Sequence, residues 1–471
     1  MTLQLTIFLV YFLVIFAIGW VSLKKTQNES DYWIAGGKLG WFVGGATMTA
    51  THTSAGTFVG TIGVIYTVGW SFGWVLISIP LAYFFMVAVL APRFTKLRQL
   101  TLPAFIESRY QSKTARAIAA VIILIATVVY IMAQIVAGGL IANVIFGIPA
   151  QYGMIIFTLI LLAYTTVGGM IAVVYTDLIQ LIIMVIGTVV AVPLAVSHFQ
   201  SLPNLLLYVD TIQPSTFTWE GMPPAALITV GMAFFLGSVA TPEKVTRLFA
   251  MKDMKTIRRG VLMTVILTSS LNLMVFILGL SAMVLFPMLP NGDLTMPIVA
   301  KAVLPPFIGT LMLAAITSAM MSTVDSLLLV AGSALSEDIY RSMIKPEATQ
   351  QQRLKIARIG IFVVGVIPLI LVLAGIQEGE LVQFIVILFT ALMGASFFVP
   401  VVGGVIWRRA NKQGAIAAMI GGVTTSILWE ALGDPGIEPI LPGFVVALVL
   451  FVLVALVYPA PQSEATDAYF K

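Results

Sequence analysis

At 471 residues, 59% hydrophobic and only 10% charged, the chain falls far below the roughly 25% charge content of soluble domains and cannot cover itself with polar surface. It has no cysteine and only two histidines, His52 and His198, which excludes disulfides, thiolate metal centres and cysteine nucleophiles and leaves no histidine cluster for a metal. A net charge of +5 implies an acidic partner only where the basic residues share one surface.

A membrane-crossing helix needs about 20 mostly apolar residues. That criterion predicts thirteen spans, so the fold class is all-α and integral to a membrane. The first, 3–23, lacks a basic leader and runs directly into Lys24 and Lys25, unlike a signal peptide. Five follow at 40–66, 72–92, 117–146, 151–168 and 177–197, then, after a loop over 198–222, three at 223–243, 260–287 and 304–334. A polar connection over 335–355 leads to the last four, at 356–376, 381–406, 414–432 and 441–459. Thirteen spans place every one of the 25 Lys and Arg residues except Lys301 on a single side. Positive residues stay cytoplasmic, which predicts a multi-pass protein of the cell membrane with its N-terminus outside and its C-terminus inside. The charge therefore reports topology, not nucleic-acid binding. No loop is long enough for a receptor's kinase domain.

Polar residues at membrane depth are costly and mark cavities and function. Span two carries Thr47, Thr49, Thr51, His52, Thr53, Ser54 and Thr57, flanked by Gly44, Gly45, Gly60 and Gly63. Such a run weakens the helix, and a break there exposes carbonyls that hold a cation; a small-residue packing seam is the alternative. His52 fits a pore-lining or packing role better than a ligand. Asp177, in Thr176-Asp177-Leu178-Ile179-Gln180, is either a buried functional acid or an N-cap with Gln at the third position. Span seven holds Gly231, Gly237, Ser238, Thr241 and Pro242 and crosses in the opposite sense to span two. Paired interrupted helices of that kind point to a transporter site between inverted halves. In span nine, Ser318, Ser322 and Ser326 recur every four residues on one face, next to Thr323 and Asp325. Back-bonding to the preceding turn accounts for Ser318 but not for Asp325. Hard oxygens without soft ligands suit an alkali cation.

At these residues the chain resembles the sodium:solute symporter family. The similar stretches are 49–60 (TATHTSAGTFVG), 175–180 (YTDLIQ), 304–340 with its MSTVDS core and SEDIY end, and 407–415 (WRRANKQGA). The resemblance implies a LeuT-type core of two inverted five-helix repeats, with one helix before and two after. It divides the chain into 1–38, 39–200 (first repeat), 201–410 (second repeat) and 411–471. It implies a Na⁺ site from the carbonyls of Ala50, Thr53 and Ala319 and the hydroxyls of Ser322 and Thr323. Asp177, Asp325 and Ser326 would form a second cation or coupling site, although Asp325 stands where a hydroxyl is expected. His52, Ser54, Thr57, Gln134 and Thr241 would face the substrate. The function expected is Na⁺-coupled import by alternating access of a small solute, a carboxylate such as pantothenate or an amino acid, with no basic residue assigned to the site. A proton-coupled carrier is the alternative. A channel would show conductance uncoupled from uptake, and an intramembrane enzyme lacks a nucleophile and base set.

Overall fold

The computed structural model describes residues 2–23, 29–97, 99–376, 379–433, 436–459 and 470; Lys24, Lys25, Arg98 and Lys471 of the topology argument lie outside them. Among the described residues the regular structure is helical, because in hydrocarbon each backbone N–H and C=O must find its partner within the segment. The helices are α1 (Thr2–Leu23), α2 (Trp41–His52), α3 (Gly56–Phe72), α4 (Leu76–Lys96), α5 (Lys113–Phe146), α6 (Ala150–Ala163) and α7 (Gly169–Ser197). The second half holds α8 (Pro224–Ala240), α9 (Pro242–Ala250), α10 (Met254–Leu285), α11 (Pro306–Ser333), α12 (Gln350–Leu373), α13 (Val382–Ile406), α14 (Lys412–Leu432) and α15 (Ile440–Val457).

Eleven of the described helices are long and apolar enough to cross a membrane, and twelve when the pair α2 and α3, bent by 56°, counts as one span. The thirteen predicted are not reached on that measure. The fifth predicted span is α6, which is too short to qualify and joins α7 through a kink at left-handed Gly169 (φ 63°).

Caps are polar and local. Ser112 accepts from Ala115 N, Asp253 from Thr256 N and Asn411 from Gly414 N, while Thr349 and Gln352 form a reciprocal capping box on α12. Asp253 is held below the usual carboxylate range by the Thr256 N–H it accepts. α11 is the hub: every residue from Met312 to Ser333 is buried. It packs on α7, and α1 lies against both, its outer face exposing Leu5, Leu9, Leu13 and Trp20 as a lipid-facing surface does. α2 meets α10 backbone to backbone, where a Cβ on Gly45 would stand 2.7 Å from the Gly260 carbonyl oxygen. Small residues permit such approach without a hydrophobic drive between helices.

One placement corrects the topology argument. Lys244 and Arg247, assigned from sequence to a cytoplasmic loop, lie in α9 and are 6% and 1% exposed. Pro242 opens a new helix instead of ending the membrane segment, because its missing N–H costs nothing at a first helical position.

Candidate functional site

The polar run in span two does break the helix. Thr53 N–H closes α2 on the Thr49 carbonyl, and the chain then turns extended at Thr53 (φ −78°, ψ 111°). The donors that would have continued the ladder go to side chains. Ser54 N–H goes to Thr57 Oγ1 (3.4 Å), Ala55 N–H to Gln134 Oε1 (2.9 Å) and Gly56 N–H to Ser54 Oγ (3.0 Å). The carbonyls of Ala50, Thr51 and Thr53 are thereby released from the helix, and span nine meets them. Ser322 Oγ lies 2.9 Å from Ala50 O and 3.0 Å from Ala319 O. Thr323 Oγ1 lies 3.1 Å from Thr51 O, 3.1 Å from Ala319 O and 3.4 Å from Thr53 O. All five oxygens expected from sequence for the sodium site thus converge in a buried place, and the Thr51 carbonyl joins them. An all-oxygen, uncharged donor set of this kind suits a hard monovalent cation.

The expected second cluster does not converge. Asp177 and Ser326 are brought together, but by Arg247, whose Nη2 donates to Asp177 Oδ2 at 3.2 Å and to Ser326 Oγ at 2.6 Å. Thr47 Oγ1 donates to the same Asp177 oxygen at 2.5 Å, Arg247 Nε reaches Thr47 Oγ1 at 3.1 Å, and Thr51 and Ser326 hydroxyls are 3.0 Å apart. Asp325 turns elsewhere and accepts from Thr165 Oγ1 at 2.5 Å. Asp177 is also no N-cap, for it lies inside α7, which starts at Gly169. Its carboxylate is fixed by a guanidinium and two hydroxyls.

Beside the break lies a narrow cavity. Of the residues expected to face the substrate, His52, Ser54 and Thr57 line this cavity, whereas Gln134 and Thr241 do not. Gln134 acts from behind, holding the unwound segment through Ala55 N–H. Thr241 forms the corner between α8 and α9 (φ −72°, ψ 130°), its hydroxyl directed to Ser238 O at 3.4 Å. One wall is aromatic: Tyr130 stacks on Phe389 with centroids 4.4 Å apart, and Tyr130 OH donates to Ser54 Oγ at 3.0 Å. His52 packs edge-on to Tyr83 at 5.7 Å. The residues that sequence reasoning missed are Glu243 and Lys244, both buried and both lining this space. Lys244 Nζ donates to Ser238 Oγ at 3.1 Å and stands 6.0 Å from the Tyr83 ring centroid. The signal for them was Thr241-Pro242-Glu243, a helix-start pattern placed inside the span instead of after it.

The sequence pattern of the sodium:solute symporter family matches residues 32–422. The chain belongs to this family. The sodium/pantothenate symporter of Escherichia coli is 30% identical over 459 residues, 94% of each chain. The osmoregulated proline transporter OpuE of Bacillus subtilis is 28% identical over 471 residues, covering 97% of this chain and 95% of its own. Among solved structures, a Na⁺-coupled sialic acid symporter in a substrate-bound outward-open state superimposes with TM-score 0.83 at 20% identity, over 98% of this chain and 99% of its own. Mhp1, of the nucleobase-cation-symport-1 family, gives 0.60 at 16% identity over 94% and 99%. At those identities the structural likeness establishes the fold, which is LeuT-type.

As a member of this symporter family the protein is a sodium-coupled transporter of a small solute and not an enzyme. The family's coupling ion needs a site, and the oxygens of Ala50, Thr51, Thr53, Ala319, Ser322 and Thr323 are buried, hard and uncharged, a donor set that fits Na⁺.

Proposed function

We propose that this symporter imports a small organic carboxylate across the plasma membrane, using Na⁺ held between the span-two break and Ser322 and Thr323. The observation that carries the substrate class is Lys244, a buried ammonium in the wall of the cavity beside the unwound segment. A buried cation is retained when a counter-charge joins it, and a substrate carboxylate supplies one. His52, Ser54 and Thr57 border the same cavity; Gln134 and Thr241 are positioning residues for the two breaks. The names of the relatives, a pantothenate symporter and a proline transporter, are in keeping with a carboxylate.

Arg247 stands between Asp177 and Ser326, so we assign these residues a coupling role in which a tethered guanidinium does the work of a second cation, and Asp325 a structural bond to Thr165. The two repeats are 39–200 and 201–410, with the two breaks in their first helices. The bias of Lys and Arg toward one side supports an outside N-terminus and a cytoplasmic C-terminus.

The test is Na⁺-gradient-driven uptake of a labelled carboxylate panel into proteoliposomes. Uptake stops when choline replaces Na⁺ at fixed pH, and Lys244→Gln abolishes it while leaving Na⁺-induced thermal stabilisation intact. Uptake confined to neutral sugars, with no carboxylate bound, overturns the reading.

A further inference from the structure

Lys244 does not face the cavity alone. Glu243 precedes it in the first turn of α9, is only 3% exposed and lines the same space. Its Oε2 is buried and has no hydrogen-bond partner. The neighbouring ammonium does not answer it, being directed to Ser238 Oγ at 3.1 Å. The positive end of the helix favours a negative charge there, yet it provides no donor to that oxygen. Two of the cavity's other polar side chains are engaged in part elsewhere: Tyr130 OH donates to Ser54 Oγ, and Gln383 Oε1 accepts from Thr61 Oγ1 at 3.4 Å. A carboxylate so placed is expensive to keep buried unless something donates to it.

We propose that Glu243 is the subsite for a protonated amine, so that the transported solute is a compact zwitterion whose carboxylate meets Lys244 and whose ammonium meets Glu243. This rests on the carboxylate reading of the cavity given above and narrows it. Two opposite charges on consecutive residues of one helical turn demand two opposite charges close together on the ligand. An α-amino or imino acid satisfies both. A hydroxylated acid with a neutral tail satisfies Lys244 and leaves Glu243 without a charged partner. The stacked Tyr130 and Phe389 offer a flat apolar wall for the solute's carbon skeleton. Where an ammonium stands over their faces, the ring quadrupoles add to its binding.

The experiment uses the full chain purified in detergent with Na⁺ present and reads thermal stabilisation against two panels. One holds zwitterions, including L-proline and the other proteinogenic neutral amino acids; the other holds monoanions without an amine, including pantothenate, lactate and pyruvate. The zwitterion panel is expected to contain the stabilising compound. Glu243→Gln is expected to raise the concentration of it needed for half-effect at least roughly tenfold, as loss of a charge-assisted hydrogen bond does, with Glu243→Asp retaining part of the affinity. Both variants must show a ligand-free midpoint no lower than wild type and the wild-type shift with Na⁺ alone, which separates a binding defect from misfolding. If an amine-free anion stabilises the protein and Glu243→Gln leaves that response unchanged while Lys244→Gln removes it, the zwitterion inference is overturned and the carboxylate reading stands. If Lys244→Gln also leaves the response unchanged, or neither panel stabilises the protein, both are overturned.

Discussion

Removing both span-nine hydroxyls is the sharpest perturbation of the proposed ion site. In Ser322→Ala/Thr323→Val the ion would lose two of its oxygens and keep the carbonyls of Ala50, Thr51, Thr53 and Ala319, which the hydroxyls now approach to 2.9–3.4 Å. Each lost hydrogen-bond-strength contact is worth about 1–1.5 kcal/mol. The pair therefore weakens Na⁺ binding by about 2–3 kcal/mol, a factor of roughly 30–150 in half-saturating concentration. The fold pays less, because an interhelical hydrogen bond in a membrane contributes about 0.6 kcal/mol on average, so the variant should reach normal expression. The assay is initial uptake into proteoliposomes as a function of external Na⁺ at constant ionic strength. Ser333→Ala is the control, since its hydroxyl donates only within its own helix, to Val330 O at 2.8 Å. Wild-type Na⁺ dependence in the double variant, at normal yield, would refute the assignment of these oxygens.

Gly45→Ala should lower the thermal midpoint, costing about 1–3 kcal/mol by overpacking, because the new methyl would stand 2.7 Å from Gly260 O with backbone on both sides. Arg116→Gln should destabilise by about 2–4 kcal/mol, since it removes the counter-charge of Asp338, which is fully buried and accepts from Arg116 Nε at 2.7 Å, and leaves it only the Thr101 hydroxyl at 2.8 Å; Arg116→Gln with Asp338→Asn should recover part of the midpoint. Asp293, in the short helix before α11, accepts from Val382 N–H at 2.8 Å, and burial pushes its carboxyl up to about 6. A carboxyl whose folded value is raised binds its proton more tightly when folded, so it opposes folding increasingly as pH climbs from the ordinary carboxylate value to about 6. Asp293→Asn should therefore be more stable than wild type at pH 7 by about 1–3 kcal/mol, read as a higher thermal midpoint, with the difference vanishing near pH 4; an equal gap at both pH values would contradict this.

What sequence revealed best was polarity out of place. Thr49 to Thr57 and Ser318 to Ser326 stand out because hydrocarbon tolerates so few hydroxyls, and those two stretches are the ones that meet. Arg247 and Lys244 were hidden by the same rule in reverse. Basic residues beside a span are read as loop residues, and the rule has no means of telling a loop from a second half-helix that continues into the protein. Nor could spacing alone foretell that Asp325, on the same helix as Ser322, turns toward Thr165, for a neighbouring position lies about 100° around the axis. The family resemblance turns Gln134 toward the substrate; its bond to Ala55 N–H needs the break to exist before it can be foreseen.

The proposed ion and the proposed solute share one backbone segment, and that sharing is what makes coupling a property of the fold. Ala50, Thr51 and Thr53 turn their carbonyls toward Ser322 and Thr323, while the side chains of His52, Ser54 and Thr57 line the cavity. The segment's remaining N–H groups are held by Gln134, Thr57 and Ser54 itself. The N–H groups of Ser54, Ala55 and Gly56 make no helical ladder bond, so the conformation of this stretch depends on what binds to either side. An ion that draws these carbonyls together orders the wall of the solute cavity, and by linkage the solute must tighten the ion to the same degree. Coupling energies of about 1–3 kcal/mol correspond to a several-fold to hundredfold mutual change in affinity. Gln134→Ala should therefore diminish the effect of each ligand on the other more than it diminishes either affinity measured alone. Titrating Na⁺ with and without saturating solute, and solute with and without Na⁺, measures that reciprocity directly. A variant that keeps the full mutual enhancement would show that the order of this segment does not carry the coupling.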